Sequence, residues 1–456
     1  MPVMDNGRVA GIISRRDIMH AVKHGLGNET VEGIMQTEFV CVAPDTPFYD
    51  AEEIMVCGNQ TLLPVEFGNK LVGVVTRTDL LRLMHEDMII RSKAAENRRA
   101  ALGVSKNRDI SRVLYDYLSD DMVALLKDIG DFAAELDYKA YVVGGFVRDI
   151  LMGTRNFDLD IVIEGDAAKF ASLYGKKNNA KVFIYKHFKT AVVTMPDGFK
   201  IDFATARTEY YVTPASAPEV EEASIKSDLF RRDFTVNAMA VRLDGSQFGS
   251  LIDFFLGQKD IHDKKIRVLH SLSIIDDPSR AFRAIRFAVR FGFEIGSHTD
   301  RLIKHAESLE LFSRITGQRL FSELKYILEE KGYLAALSMM NKYDIMRFYH
   351  TDIKYDEKLL SRLNRAESLI NWYNIQFGVS VPVWRVRFHV LFFLIKGDKF
   401  NKFIDKFELA SKDGVSLKNE HKYIEYAASV FKRYKNHKPS FIYGVWSNLS
   451  VESALA

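Results

Sequence analysis

Tyr141 to Glu164 reads YVVGGFVRDILMGTRNFDLDIVIE. The apolar run Tyr141 to Val143 predicts a short buried strand, the Gly-Gly pair a turn, the residues after it one or two helical turns, and Asp158-Leu159-Asp160 the opening of a second strand. Side chains alternate faces along a strand, so Asp158 and Asp160 share one face while Leu159 takes the other. Two carboxylates side by side make a seat for a divalent cation, and Mg²⁺ commonly sits between one or two carboxylates and the phosphates of a substrate. Gly144 and Gly145 lack a Cβ, so their backbone N–H groups can approach an anion at the start of the following helix, and Arg148 adds a forked cation.

These residues carry a resemblance. GGFVRDILMG followed by DLD resembles the first motif of the class II tRNA nucleotidyltransferases and bacterial poly(A) polymerases. RRDFTVNAMA (Arg231 to Ala240) is similar to that family's second signature, and DDPSRAFRAIRF (Asp276 to Phe287) to its base-selecting motif. SRITGQRLFSELKYILEE (Ser313 to Glu330), with Arg319 and Glu323 one turn apart, has the character of a fifth motif. The match is close over residues 140–328 and loose beyond.

The resemblance implies a multidomain α+β protein: a polymerase-β-like head over residues 121–265, a neck carrying the base-selecting helix over 266–330, and an all-helical RNA-binding body over 331–456. It implies Mg²⁺ as cofactor, tRNA as partner, and ATP, with CTP as the other candidate, as substrate. Asp158 and Asp160 become metal-holding catalytic carboxylates. Asp202, alternating with Ile201 and Phe203 on a later strand, is the candidate third carboxylate, although a structural Asp at a strand edge has the same pattern. Gly144, Gly145, Arg148 and Arg232 address the triphosphate, and Asp233 and Asn237 the ribose, with Arg231, Arg232, Asp233 and Asn237 expected on one helix. Asp277, expected to cap a helix that Pro278 opens, and Arg280 would read the base edge, while Arg283 and Arg286 would face phosphate.

A carboxylate accepts from an exocyclic amine and a guanidinium donates to a ring nitrogen or carbonyl, an order that both ATP and CTP present and that UTP and GTP reverse. That chemistry admits A and C without choosing between them. The loop ARTEYYVTPASAPEVEEASIKSDL (Ala206 to Leu229) is full length, as in the A-adding and CCA-adding relatives, so A addition is expected, then CCA addition or poly(A) synthesis. The rival of another class is an inactive, nucleotide-sensing RNA-binding protein, against which the intact carboxylate pair speaks.

Upstream, PVMDNGRVAGIISRRDIM (Pro2 to Met19) can be laid on PVEFGNKLVGVVTRTDLL (Pro64 to Leu81) at a constant offset, which is an internal duplication. Each copy predicts a hairpin running into a capped helix, and the pair resembles a tandem CBS module over residues 1–90. That resemblance implies an adenine nucleotide at Ser14, Asp17, Thr76 and Asp79 and dimerisation through the module; the same residues are also ordinary helix caps. The first copy starts halfway through its unit, and PSFIYGVWSNLSVESALA (Pro439 to Ala456) stops inside a helical pattern, so more sequence is expected at both ends. Residues 91–120 read as a basic linker.

Composition sets outer limits. A chain of 456 residues suggests about three domains, and 47% hydrophobic content supplies their cores. A net charge of +3 is too mild to argue for nucleic acid by itself, so that argument rests on local clusters such as KRYKNHK (Lys432 to Lys438). Cys41 and Cys57 are too few for a cysteine zinc site and read as small buried hydrophobes. No uninterrupted apolar run approaches the roughly 18 residues of a membrane span. A cytoplasmic protein with no membrane partner is expected.

Overall fold

The computed structural model describes residues 1–5, 7–13, 18, 30–37, 39–47, 50–51, 54–55, 60, 62–68, 70–76 and 79 of the N-terminal part, and 108–154, 158–185, 188–210, 219–433, 438–447 and 449–456 of the remainder. The chain divides into two compact units, Met1–Lys106 and Asn107–Ala456. Ser14, Asp17, Cys57, residues 91–107 of the expected linker, residues 211–218 of the long loop and residues 434–437 lie outside the described residues.

In the first unit β1 (Pro2–Asp5) pairs with β2 (Arg8–Ile12), and β3 (Leu62–Phe67) with β4 (Lys70–Thr76), both antiparallel. The duplication extends to a defect. One hairpin shifts register between Val3 and Met4, and the other between Val65 and Glu66, the same place in each copy. A bulge inserts one residue and strengthens the local twist, so its repetition means that both copies bend alike. Leu63, Val42, Ala51 and Met55 form a small core beneath the second hairpin. Cys41 is a free, partly buried thiol, pushed up to about 11 by burial and by the neighbouring Glu66 carboxylate.

The second unit is built on an eight-stranded mixed sheet. In chain order its strands are β5 (Arg108–Asp109), β6 (Lys139–Val143), β7 (Leu159–Glu164), β8 (Lys181–Tyr185), β9 (Thr190–Thr194), β10 (Lys200–Thr205), β13 (Ala240–Arg242) and β14 (Ser250–Ile252). A separate hairpin, β11 (Arg207–Tyr210) with β12 (Glu219–Glu222), interrupts that series. The order across the sheet is β5-β14-β13-β6-β7-β10-β9-β8. One result differs from the sequence reading. Residues 108–120 belong to this fold and not to a linker: Arg108 and Asp109 pair with β14, and Ile110, Leu114 and Leu118 are buried in the sheet's core. The basic residues of the segment masked a periodic apolar set that has a sheet to bury against.

Alternation explains the core. Leu159, Ile161 and Ile163 of β7, with Ile201 and Phe203 of β10, pack with Phe170 and Tyr174 of the Ala167–Lys177 helix, while Asp160 and Asp202 remain exposed. The Asp120–Glu135 helix is capped by Ser119, which accepts from the Met122 N–H at 3.3 Å, and buries Met122, Val123, Leu126, Ile129 and Ala133 at helical spacing. A Cβ on Gly130 would stand 2.0 Å from the Leu243 carbonyl oxygen, so glycine is what lets this helix lie against the chain after β13.

From Ser273 onward the chain is almost wholly helical, ending with the Val451–Leu455 helix. Many aromatic residues of this half are core, not RNA surface: Phe312, Phe388, Phe392, Phe400 and Phe407 are fully buried. Tyr326, Trp372, Phe377, Tyr423, Tyr426, Phe441, Tyr443 and Trp446 are exposed.

Candidate active site

The turn after β6 sets the floor of a cleft of about 890 Å³. Gly144 adopts φ 71° and ψ −128°, a region that essentially only glycine enters, and a Cβ there would lie 2.8 Å from Arg232 Nη1. Its N–H donates to the Met239 carbonyl at 3.2 Å, so of the two glycines expected to approach an anion Gly144 has its N–H engaged within the protein. Arg148 also departs from expectation. Its guanidinium is buried, donates to Asp149 Oδ1 at 2.7 Å and to Asn237 Oδ1 at 2.5 Å, and stacks 4.5 Å from the Phe291 ring centre. It positions Asn237 instead of presenting a free cation.

Asp158 and Asp160 line the cleft. Asp202 does not line it, but pairs in register with Asp160 across the parallel β7–β10 ladder. The protein packed around Asp160 raises its carboxyl above the ordinary value; Asp202 and Asp158 add to that rise and Arg232 opposes it. Asp202 is raised too, by its surroundings and then by Asp158. Crowded carboxylates of this kind fit a cation. Among the described residues no three acidic, histidine or cysteine side chains converge closely enough to hold an ion alone. Mg²⁺ takes few protein ligands and completes its shell with water and phosphate oxygens.

Arg231, Arg232, Asp233 and Asn237 do not share one helix. The Ile225–Phe230 helix ends at Arg231, Phe234 is extended and bridges to Val268, Thr235 donates to the Arg267 carbonyl at 2.9 Å, and a short 3₁₀ turn covers Thr235–Asn237 before β13 begins. Burial of Phe234, Val236, Ala238 and Met239 overrides helical spacing here. The cleft nevertheless gathers Arg231, Arg232, Asp233 and Asn237. Asp233 is held below the usual carboxylate range: burial alone would raise it, but Arg283 and Asn237 more than offset that. Its Oδ1 accepts from Asn237 Nδ2 at 2.9 Å and its Oδ2 from Arg283 Nη2 at 2.6 Å. Arg283, expected to face phosphate, is therefore the partner of Asp233.

At the far end the helix Ser279–Phe291 starts one residue later than expected, but Asp277 still caps it, accepting from the Ser279 N–H at 3.1 Å and the Ser279 hydroxyl at 2.7 Å. Asp277 Oδ2 also accepts from Arg319 and lies 4.0 Å from Arg280 Nε. Arg280 is buried and donates to Ser273 Oγ at 2.6 Å and to the Arg231 carbonyl at 2.7 Å. Arg286 stacks on Phe287 and Tyr326, and its buried Nε has no hydrogen-bond partner among the described residues. In the first unit Thr76 and Asp79 bond each other, Thr76 Oγ1 donating to Asp79 Oδ2 at 2.5 Å, in the manner of a helix cap.

Sequence reasoning missed Asp228 and the partner of Arg319. Asp228 stands three and four residues before the Arg231-Arg232 pair, a spacing that does signal ion pairing on a helix. Nothing local links Arg319 to Asp277.

A model of the poly(A) polymerase head domain matches residues 140–267, and a CBS domain model matches 1–24 and 31–86. The A-adding tRNA nucleotidyltransferase of Geobacter sulfurreducens is 42% identical over 86% of this chain and 44% of its own length. That of Aquifex aeolicus is 36% identical over 83% of this chain and 43% of its own. The chain thus spans less than half the length of these two relatives. A solved structure of the Thermotoga maritima CCA-adding enzyme complexed with tRNA matches at TM-score 0.65 and 34% identity, over 77% of this chain and 81% of that one. With its cleft of paired carboxylates, glycine turn and arginine-lined helix, and its likeness to these enzymes over both head and helices, the chain belongs to the tRNA nucleotidyltransferase and poly(A) polymerase family, in a form fused to a CBS domain.

Proposed function

We propose that this protein is a template-independent tRNA nucleotidyltransferase that adds the terminal AMP from ATP. The observation that carries the reading is one cleft lined by Asp158 and Asp160, the Gly144-Gly145 turn, Arg232, and the Asp277–Arg280 pair. The A-adding names of the Geobacter and Aquifex relatives support adenylate over other additions.

In the transfer, the 3′-hydroxyl oxygen of the RNA forms a bond to the α-phosphorus, the bond from that phosphorus to the bridging oxygen breaks, and pyrophosphate leaves. Arg232, at the Gly144 turn, bears on the triphosphate. Asp233 and Asn237, locked by Arg283 and Arg148, form a rigid wall against the ribose. Asp277 accepts from the base amine and Arg280 donates beside it. Asp202, whose raised affinity for a proton suits it to the task, takes the proton of the 3′-hydroxyl. Asp158 and Asp160 would hold Mg²⁺, which when bound polarises phosphoryl oxygens and neutralises developing charge.

The helical half offers its exposed aromatic residues to RNA. In the first unit Thr76 and Asp79, which bond each other, are the described part of a site at which an adenine nucleotide binds weakly or not at all, and the module is a surface for pairing two copies. Among the described residues no helix is long and apolar enough to cross a membrane, and a cytoplasmic site of action accords with tRNA as substrate.

The test offers ATP, CTP, GTP and UTP singly to tRNA transcripts ending before the CCA, after one C, after both and complete. Addition of one A to the transcript ending in CC is expected. CTP addition to the shorter ends would make this a CCA-adding enzyme, the second reading, which the match to the Thermotoga enzyme favours. Long A tails would make it a poly(A) polymerase, and no addition at all would leave the nucleotide-sensing reading.

A further inference from the structure

Asp228 is completely buried, beside a cleft that it does not line. Its Oδ1 accepts from Arg231 Nε at 3.0 Å and Nη2 at 2.7 Å, and its Oδ2 from Arg232 Nε at 3.3 Å and Nη2 at 3.0 Å. A carboxylate with no solvent at all keeps its charge only where cations and donors replace the lost water. Here the replacement comes from two consecutive arginines that both line the cleft, with the Arg207 N–H at 3.4 Å as a weaker fifth contact. Two of the three nitrogens of the Arg232 guanidinium are spent on Asp228, and the third, Nη1, is the atom that would meet a Cβ on Gly144. Arg232 is aimed by the bonds it makes at its back.

The same carboxylate reaches the other end of the cleft. Arg231, fixed by Asp228, gives its carbonyl oxygen to Arg280 Nη2 at 2.7 Å. Asp228 also sits on the short helix that directly follows the β11–β12 hairpin. That helix is joined to the sheet by the Ile225 N–H, which donates to Glu164 Oε1 at 2.7 Å, and the base of the hairpin is closed by the Ala223 N–H donating to the Ala206 carbonyl at 2.8 Å.

We propose that Asp228 is a positioning residue for nucleotide transfer: one buried anion orients Arg232 over the glycine turn and holds Arg231 where its carbonyl fixes Arg280, tying the triphosphate seat to the base-reading pair. This rests on the transferase reading above. Asp228→Asn preserves size and one accepting oxygen but removes the charge that aligns both guanidiniums. Lost support of this kind typically costs about 10- to 100-fold in affinity or activity.

The experiment uses the full chain, with ATP affinity read by titration calorimetry, AMP transfer to tRNA ending in CC read as KM and kcat, and melting temperature read in parallel, for Asp228→Asn, Arg232→Lys and the double variant. Asp228→Asn should raise the Kd and KM for ATP about tenfold or more, leave the KM for tRNA near its original value, and lower the preference for ATP over CTP. The double variant should be no weaker in ATP binding than the worse single one, because both changes remove the same alignment. A lower melting temperature with unchanged ATP affinity, or singles whose effects multiply in the double, would make Asp228 purely structural and overturn the proposal. Should Asp228→Asn not fold, Arg231→Lys and Arg232→Lys each leave a cation on the carboxylate. The proposal then requires a much larger loss of ATP affinity in the second, and equal losses overturn it. Wild-type protein that binds ATP but transfers nothing would refute the transferase reading, while the affinity comparison would still decide the role of Asp228.

Discussion

Asp202 stands directly across the parallel β7–β10 ladder from Asp160, and both side chains leave the sheet on the exposed face. Neighbouring strands are about 4.8 Å apart, so with Asp158 beside them the carboxylates repel unless a cation intervenes. Asp158→Asn and Asp160→Asn should each reduce AMP transfer to below about a tenth of wild type, a loss of several kcal/mol in transition-state stabilisation. RNA binding, followed by filter retention, should persist. Substantial transfer by either variant would remove the metal-holding role.

Asp202 gives a pH dependence. Its surroundings and Asp158 raise its proton affinity, and a general base works only when deprotonated, so transfer should fall as pH falls through a value above the ordinary carboxylate range. In Asp202→Asn that acid limb should vanish along with most of the rate. A variant that is slower but keeps the limb would assign the titration elsewhere.

Base choice should depend on three residues. Asp277→Ala and Arg280→Ala each remove one arm of the base-edge pair, worth roughly 1 to 3 kcal/mol of discrimination. Arg319→Ala should act in the same direction, because Arg319 bonds the same carboxylate oxygen, Oδ2, that faces Arg280. Competition between ATP and CTP on tRNA ending in CC is the measurement. Uniformly weaker binding with unchanged choice would make these residues phosphate or structural groups.

The division at Lys106 and Asn107 predicts that residues 107–456 carry transfer by themselves, since every residue of the cleft lies in that unit. Thr76 and Asp79 are already satisfied by each other, so AMP and ATP should bind weakly or not at all to the first unit. Calorimetry on that unit and an assay of residues 107–456 check the two statements. Tight binding, or loss of transfer in a folded 107–456 protein, would give the CBS unit a part in the reaction.

The helical half should lose stability in acid. His421 is buried, donates from Nε2 to the Ile395 carbonyl at 2.8 Å and stacks on Phe400; burial, with His389 and Lys396 nearby, pushes its pKa down to about 4. The unfolded chain takes up a proton near pH 6.5 that the folded one refuses. Stability is therefore full above that pH and falls as pH drops toward 4, by at most about 1.4 kcal/mol per pH unit from this group. Urea unfolding followed by tryptophan fluorescence reports this half, because all three tryptophans, Trp372, Trp384 and Trp446, lie in it. His421→Gln should flatten the slope, and an unchanged slope would exclude His421 as its source.

Sequence alone determined what depends on local spacing. The Asp-Leu-Asp alternation placed two carboxylates on one face, the Gly-Gly pair marked a turn, and the constant offset between two hairpins reappeared even in their bulges. Such features repeat with the period of the backbone, so they are written in consecutive residues. Local spacing misled at Arg231 to Ala240, where the apolar residues obey a buried 3₁₀ turn and a strand bonded to β6 and β14 instead of a helix. Only the tertiary structure decided the use of each arginine. Arg283 and Asp233 are 50 residues apart in the chain, Arg319 and Asp277 are 42 apart, and Arg148 and Asn237 are 89 apart. A guanidinium carries the same charge whether it pairs with a carboxylate or awaits a phosphate, and which it does depends on what the fold has buried beside it.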